Sequence, residues 1–296
     1  MTDHHKTNFP IGAAVAHSVG YFIAQLLRFA WAEARACAFA VALFLGLALF
    51  SIIDTPLPRY DALLLYALAI TGLFYLLRWE TAGEVAVIGG FHLVGLIFEI
   101  VKVHLGSWSY PGDAWTKIGG VPLYSGFLYA AVGSYVCRAW RTLDLRLTGY
   151  RTTATATVSA AIYLNFLTHH FLPDLRLPLA LLLIAATRRT AVHFTVGQAR
   201  YRMPLALSFV LIGFFLWIAE NIATYLGAWR YPYQQDTWNL VHADKFGAWA
   251  LLVSVAFVLV AAWQARHGRL TEPAPETTAE PTPEPRTDQH QPQNVQ

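Results

Sequence analysis

The feature that most constrains this chain is a series of long apolar stretches separated by short polar segments. Each holds about 18–22 residues, the length that a helix needs to cross a hydrocarbon core about 30 Å thick. Charged residues make up only 13% of the 296 residues, about half the share of an average soluble domain. The stretches are Ala36–Ile53, Tyr60–Leu77, Ala82–Val103, Gly119–Val136, Thr153–Phe171, Pro178–Gln198, Pro204–Tyr225 and Phe246–Trp263. We therefore predict an all-α fold, a polytopic membrane bundle of about eight transmembrane helices.

The sixth stretch is the weakest of the eight. Its apolar part extends from Pro178 to Thr187, and Arg188 and Arg189 then interrupt it. Half a span of this kind is too short to cross a bilayer. Seven spans are therefore the alternative to eight.

The two ends of the chain differ from its apolar middle. In residues 1–35 the apolar sequence is broken by His17, Gln25 and Arg28, which is not typical of a cleaved signal peptide. Ile11–Ala34 is instead predicted to be an amphipathic helix lying on the membrane surface. Residues 270–296 are rich in Pro, Glu and Thr and contain no Phe, Trp or Tyr, so we predict a disordered cytoplasmic tail.

Basic residues predict the orientation in the membrane, because cytoplasmic loops carry an excess of Lys and Arg. With eight spans, one side collects fourteen basic residues: Lys6, Arg28, Arg35, Arg78, Arg138, Arg141, Arg146, Arg151, Arg188, Arg189, Arg200, Arg202, Arg266 and Arg269. The other side receives six: Arg59, Lys102, Lys117, Arg176, Arg230 and Lys245. We predict a multi-pass protein of the bacterial inner membrane with both termini cytoplasmic. The net charge of +3 reflects this bias, and nothing in it indicates a nucleic-acid partner.

One motif, Glu followed by Leu-Gly-x-Trp-x-Tyr-Pro, occurs twice with identical spacing. The matching pairs are Glu99/Glu220, Leu105/Leu226, Gly106/Gly227, Trp108/Trp229, Tyr110/Tyr231 and Pro111/Pro232. A second match at nearly the same offset pairs Asp54/Asp174, Leu57/Leu177 and Pro58/Pro178. We predict two parallel four-helix repeats, 36–140 and 153–264. Four spans per half return the chain to its starting side, so both motif loops should lie at the outer face.

The residues around this motif resemble a known family. "EIVKVHLGSWSYP", "GGVPLYSGFLYAAVGSYV", "NFLTHH" and "ENIATYLGAWRYP" are similar to the bacterial integral-membrane family called domain of unknown function 817. This resemblance covers about Arg28–Gln264 and implies membrane location without specifying an activity. A fainter likeness, through the Glu and Gly120–Leu123, is to membrane carotenoid hydratases and lycopene-cyclase-type proteins.

Polar residues within the apolar stretches are the candidate site. Glu99 and Glu220 lie about two turns inside the outer ends of spans three and seven, where a charged side chain is costly and often functional. His169 and His170 end span five on the same side, and these four are the candidate catalytic residues. The candidate binding residues are Trp108, Tyr110, Trp229, Tyr231 and Asn221. We predict no metal site, since no Glu-x-x-His or His-x-x-x-His spacing occurs.

Three classes of function are compatible with these residues. A membrane enzyme would use a buried glutamate to protonate an apolar isoprenoid or lipid, and the Trp and Tyr faces would stabilise the resulting cation. A transporter would exchange protons on the paired carboxylates at the interface of the repeats. A structural protein would use the duplicated motif only to lock helices together. The sequence does not identify a cofactor, and the expected partners are the bilayer and an apolar or lipid-like small molecule.

Overall fold

The computed structural model describes residues 11–271, with side chains from residue 19 onward. The predicted tail, apart from its first two residues, lies outside the described residues, and so do residues 1–10 of the N-terminal segment. The described residues form nine α-helices: α1 Ile11–Ala36, α2 Ala38–Ile52, α3 Arg59–Leu76, α4 Ala82–His104, α5 Gly126–Thr142, α6 Thr152–Thr168, α7 Arg176–Thr187, α8 Leu205–Tyr225 and α9 Asp244–Arg266. The short strands are β1 Lys117–Ile118, β2 Val121–Pro122, β3 Arg146–Thr148, β4 Ala191–Val196 and β5 Ala199–Pro204.

Four of these helices are long and apolar enough to cross a membrane, namely α3, α4, α8 and α9. A fifth candidate is the pair formed by α1 and α2, which meet at a 66° bend. The helical bundle and its apolar spans confirm the predicted class of membrane protein. The number of eight spans stays a prediction, because α5, α6 and α7 hold 17, 17 and 12 residues.

The segment α1 is helical, as the sequence indicated. Large apolar side chains on it are exposed, among them Phe22, Leu27 and Trp31. Exposed apolar surface of this size is typical of contact with lipid or with a partner. That α1 lies on the membrane surface stays a prediction.

The predicted helix over Pro178–Gln198 is wrong in its second half. Helix α7 ends at Thr187, and at 1.5 Å per residue its 12 residues cover about 18 Å, short of a full crossing. After Arg188 and Arg189 the chain forms a β-hairpin of β4 and β5, and β3 pairs with the other edge of β4. Gly197, at φ +63°, makes the turn, and the β-branched and aromatic residues of β4 favour a strand.

The predicted helix over Gly119–Val136 also begins later than expected. Its first residues form the β1–β2 hairpin and a 3₁₀ turn, Leu123–Ser125, before α5 starts at Gly126. Gly119 and Gly120 both have positive φ values, +58° and +82°, which a helix does not accommodate. The fold is therefore a helical bundle with two small sheets at its ends.

Helix pairs approach closely at glycine. Helix α4 packs against α5, and α8 packs against α9 in the same way. A Cβ at Gly95 would lie 2.6 Å from the Tyr129 ring, and a Cβ at Gly213 would lie 2.5 Å from the Ala250 backbone nitrogen. Small residues at such contacts allow membrane helices to pack at short range. Each helix that carries a motif glutamate is therefore packed closely against the helix that follows its motif loop.

The two copies of the motif end their helices with the same geometry. Gly106 has φ +71° and Gly227 has φ +70°, and each follows a helix whose last carbonyls are bonded in the Schellman pattern. The chain then runs into a backbone bridge in which the N–H of Ser109 and that of Arg230 each donate to the other residue's carbonyl, both at 2.9 Å. Ser109 and Arg230 are equivalent positions of the two copies. Both motif loops therefore lie at one end of the bundle, while superposition of the two complete halves stays a prediction.

Candidate buried acidic site

Glu99 lies inside a cage of aromatic hydrogen-bond donors. The side chain is only 4% exposed. Its Oε2 accepts from Trp108 Nε1 and from the Tyr110 hydroxyl, and its Oε1 accepts from the Tyr129 hydroxyl, each at 2.7 Å. Trp108 and Tyr110 reach it because the Gly106 turn folds the chain back over the end of α4. Tyr129 comes from α5, where its ring packs against Gly95.

Glu220 occupies the equivalent place at the end of α8. It is 5% exposed, its Oε1 accepts a hydrogen bond from the Tyr231 hydroxyl, and its Oε2 accepts from Trp249 Nε1 at 2.8 Å. The two carboxylates are connected through their donors, because the rings of Trp108 and Tyr231 meet edge to face with centroids 6.1 Å apart. Each carboxylate therefore has its own donors within a continuous aromatic cluster.

The two cages are not identical. Trp108 donates to Glu99, but the indole that donates to Glu220 belongs to Trp249 on α9. Trp229, the equivalent of Trp108, does not donate to Glu220 in the described structure. Both tryptophans line the cavity, and their role as binding residues stays a prediction.

Asn221 stabilises the fold rather than contacting Glu220. Its Nδ2 donates to the Trp217 carbonyl at 2.8 Å, and its Oδ1 accepts from the Val241 N–H at 2.8 Å. These bonds attach the segment before α9 to α8. The structure thus places Asn221 beside the site as a residue that positions the chain.

A cavity of about 1010 Å³ adjoins both carboxylates. It is at the upper end of the range of about 300–1,000 Å³ for ligand pockets. Its lining is mostly apolar and includes Phe98, Phe166 and Phe257. Along α8 the lining runs from Ser208 to Glu220, which is about 18 Å at 1.5 Å per residue. Such a cavity accommodates an extended apolar chain.

Basic side chains surround the end of the cavity nearest the motif loops. They are Lys102, Lys245, Arg176, His169 and His170. The two histidine rings lie against each other with centroids 4.4 Å apart, and His170 Nε2 lies 3.2 Å from Ser107 Oγ. The structure therefore brings the predicted histidines to the cavity that holds Glu99 and Glu220, but their hydrogen bonds go to other groups.

The histidines are held toward their neutral form. Burial lowers the pKa of His169 below its usual value, and the charge of Lys102 lowers it further. Burial, Lys102 and Lys245 together lower the pKa of His170 in the same direction. Neighbouring cations disfavour the charged imidazolium. At neutral pH both rings are therefore available as neutral donors and acceptors.

Arg176 differs from the two lysines because carboxylates already pair with it. Its guanidinium contacts Asp174 at 2.6 Å and Asp244 at 3.8 Å. Its hydrogen bond to Asp174 lowers the pKa of that carboxyl to about 2. Within residues 11–271 neither Lys102 nor Lys245 forms a salt bridge. Lys102 Nζ lies 5.9 Å from the centre of the Phe98 ring, and Lys245 Nζ lies 5.0 Å from that of Tyr231.

Several residues of this site do not stand out in the sequence. Tyr129 and Trp249 donate to the carboxylates from the following helices, and Lys102 and Lys245 were counted only as charges that set the orientation. One signal was present, since Tyr129 and Trp249 are separated by 120 residues, the offset of the second repeat match. In the part of the chain with described side chains, no group of three His, Cys, Asp or Glu residues is arranged to hold a metal ion.

The apolar helices define this chain as a membrane protein. It belongs to the family described as "Protein of unknown function (DUF817)", which residues 25–257 match. The resemblance inferred from the motifs is therefore confirmed. The chain is also 52% identical over 241 residues to "Uncharacterized protein YoaT" of Bacillus subtilis (strain 168), covering 81% of this chain and 91% of that protein. No solved structure matches the chain, and the likeness to carotenoid hydratases and lycopene cyclases stays a prediction.

Proposed function

We propose that this protein binds an apolar, lipid-like molecule within the membrane and carries out acid–base chemistry on it with Glu99 and Glu220. The observation that carries this proposal is that both buried carboxylates line the same, mostly apolar cavity of about 1010 Å³. A pair of glutamates that only locked helices together would not need an adjoining cavity of ligand size. Intramembrane carboxylates facing a cavity are typical of functional sites.

The hydrogen-bond donors around each glutamate are suited to a glutamate that gives its proton to a substrate. When Glu99 gives its proton to a double bond or a leaving group, the carboxylate that remains accepts from Trp108, Tyr110 and Tyr129. Charge-assisted hydrogen bonds of this kind are about twice as strong as neutral ones, so they stabilise the charge as it develops. The faces of the same aromatic rings stabilise a cation on the substrate.

A proton-coupled transporter is the second candidate, because the cavity reaches toward the opposite end of the bundle. There its lining includes Glu33, which accepts a hydrogen bond from the Tyr135 hydroxyl at 3.0 Å, and Cys37, where α1 and α2 meet at the 66° bend. Broken helices and titratable groups at both ends of a cavity are features of transporters. The same carboxylates would then carry protons without changing the substrate.

The inner membrane, with both termini cytoplasmic, is part of this proposal. In the structure, residues assigned to the less basic side, including Arg59, Lys117 and Arg230, meet at the motif end of the bundle. Arg138 and Arg141 bond to Trp79 at the other end. This separation supports the charge count on which the orientation rests.

The proposal is tested by Glu99→Gln and Glu220→Gln in a strain that lacks the chromosomal gene, with lipids and pigments profiled without prior selection. Glu84→Gln is the matched control. Glu84 is a buried glutamate of α4, the helix of Glu99, but it lies away from this cavity and pairs with Arg141. We expect the two site variants to accumulate a substrate that wild type and Glu84→Gln consume.

Each other outcome selects a different function. Unchanged lipid composition with altered uptake or export would favour the transporter. If both Gln variants are expressed and fully restore the deletion phenotype, the carboxylates are structural and the proposal is wrong.

A further inference from the structure

The basic end of the cavity contains two lysines, Lys102 and Lys245, that form no salt bridge within residues 19–271. Arg176 is paired with Asp174 and Asp244, so it contributes little net charge. The ammonium group of Lys102 lies over the Phe98 ring, and that of Lys245 lies over the Tyr231 ring. Two ammonium groups without a salt bridge therefore lie at the end of an apolar cavity.

The position of Lys102 makes this arrangement costly without a ligand. Its side chain belongs to α4 and is 3% exposed, yet it lines the cavity. A buried ammonium group without a paired anion loses hydration worth several kcal/mol. Glu99 forms no salt bridge with it, and its oxygens accept from Trp108, Tyr110 and Tyr129 instead. Within residues 19–271 no carboxylate forms a salt bridge with Lys102, so a bound anion would supply the missing partner.

Lys245 and the two histidines provide further groups that can bind an anion beside Lys102. Lys245 lies in the first turn of α9, where the helix dipole disfavours a cation and favours an anion. His169 and His170 lie beside it as neutral rings that can donate an N–H. An anion here would contact Lys102, Lys245 and one imidazole, and would lie over the positive end of α9.

We propose that this end of the cavity binds the phosphate group of an amphiphile whose apolar chain occupies the rest of the cavity. This inference rests on the proposed function and names the class of its ligand. A phosphate monoester carries about −1.5 to −2 charges near neutral pH, which matches two lysines better than the single charge of a carboxylate. The apolar chain of the ligand would lie along the apolar lining of α8, a part of the cavity that free phosphate would not fill.

The test uses the full-length protein in phosphatidylcholine nanodiscs, with binding measured from the shift of the thermal unfolding midpoint. The probes are dodecyl phosphate, dodecanoate, dodecanol and inorganic phosphate. Dodecanoate and dodecanol have the same dodecyl-length tail as dodecyl phosphate, and inorganic phosphate has the same headgroup. The variants are Lys102→Gln and Lys245→Gln, with Arg230→Gln as the control, because Arg230 is an exposed cation at the same end that does not line the cavity.

We expect dodecyl phosphate to bind more tightly than the other three probes. Each lysine variant should weaken its binding by roughly 10- to 100-fold, the loss of one charged hydrogen bond, while Arg230→Gln binds as wild type does. Lys102→Gln should also leave the unfolding midpoint without ligand equal or higher, because it removes an unpaired buried charge. A lower midpoint for ligand-free Lys102→Gln would mean that the lysine stabilises the fold, and the inference would be wrong.

The remaining outcomes separate the inference from the function on which it rests. Equal binding of dodecyl phosphate and dodecanol overturns the phosphate site and leaves the lipid-binding cavity intact. Equal binding of dodecanoate overturns the choice of phosphate, and equal binding of inorganic phosphate overturns the amphiphile. If no probe with a dodecyl chain binds, the proposed function fails together with the inference.

Discussion

Replacing Glu99 by alanine should destabilise this protein far more than replacing it by glutamine. Alanine leaves three donors without an acceptor, on Trp108, Tyr110 and Tyr129, and each orphaned buried donor costs about 1–3 kcal/mol. Because the three are neighbours, their costs do not simply add, and we expect about 3–6 kcal/mol in total from this source.

Glutamine keeps most of the network. Its oxygen can accept from Trp108 and Tyr110 as Glu99 Oε2 does. Its amide group then faces Tyr129, whose hydroxyl can rotate to accept instead of donating. We expect Glu99→Gln to change the free energy of unfolding by about 1 kcal/mol, the net value of one hydrogen bond.

The assay is reversible unfolding in mixed micelles of increasing denaturing detergent, followed by tryptophan fluorescence and circular dichroism. The double variant Glu99→Ala/Tyr129→Phe provides the internal check. Removing the Tyr129 hydroxyl should destabilise wild type but recover part of the loss caused by Glu99→Ala, because it removes one orphaned donor. Equal destabilisation by Ala and Gln, or no recovery in the double variant, would refute the hydrogen-bond reasoning.

Three further predictions follow from other parts of the structure. Gly95→Ala should lower the free energy of unfolding by about 1–3 kcal/mol, the usual cost of overpacking, whereas Gly90→Ala, which meets no atom within 4 Å, should be neutral in the same unfolding assay. Burial and nearby lysines lower the pKa of His170, so the unfolded chain binds a proton at this histidine more readily than the folded protein does. The free energy of unfolding should therefore fall as the pH drops below about 6.5. His170→Asn should reduce this pH dependence in unfolding curves, and an unchanged dependence would contradict the prediction. Reporter fusions after Arg151 should report a cytoplasmic location, and fusions within Pro111–Lys117 should report an external one. A cytoplasmic signal from the Pro111–Lys117 loop would contradict the predicted orientation of the chain in the membrane.

The repeated spacing is the part of the site that the sequence predicts well. Tyr110 and Tyr231 each follow their glutamate by eleven residues, and in both copies a helix end with a positive-φ glycine brings the hydroxyl to the carboxylate. This contact is local, since it depends only on how one helix ends. The meeting of the two loops follows from the even number of predicted spans.

What the sequence did not predict depends on tertiary packing. Tyr129 and Trp249 belong to neighbouring helices, α5 and α9, which pack closely against Gly95 and Gly213. The role of Lys102 was missed because a basic residue near the end of a span is usually an orientation signal. The β4–β5 hairpin was missed because averaged hydropathy does not separate an apolar strand from half a helix.

The donors around the two carboxylates come from their own halves of the chain, which has a consequence for biosynthesis. Glu99 is satisfied by residues up to position 129, and Glu220 by residues up to position 249. The bridge between Ser109 and Arg230 spans 121 residues, so at about 5–20 residues per second the first loop waits roughly 6–24 s for its partner to emerge from the ribosome. During that interval all three donors of the first carboxylate are synthesised, since the last of them is Tyr129. Each glutamate can therefore acquire its hydrogen-bond donors from its own part of the chain before the two motif loops meet.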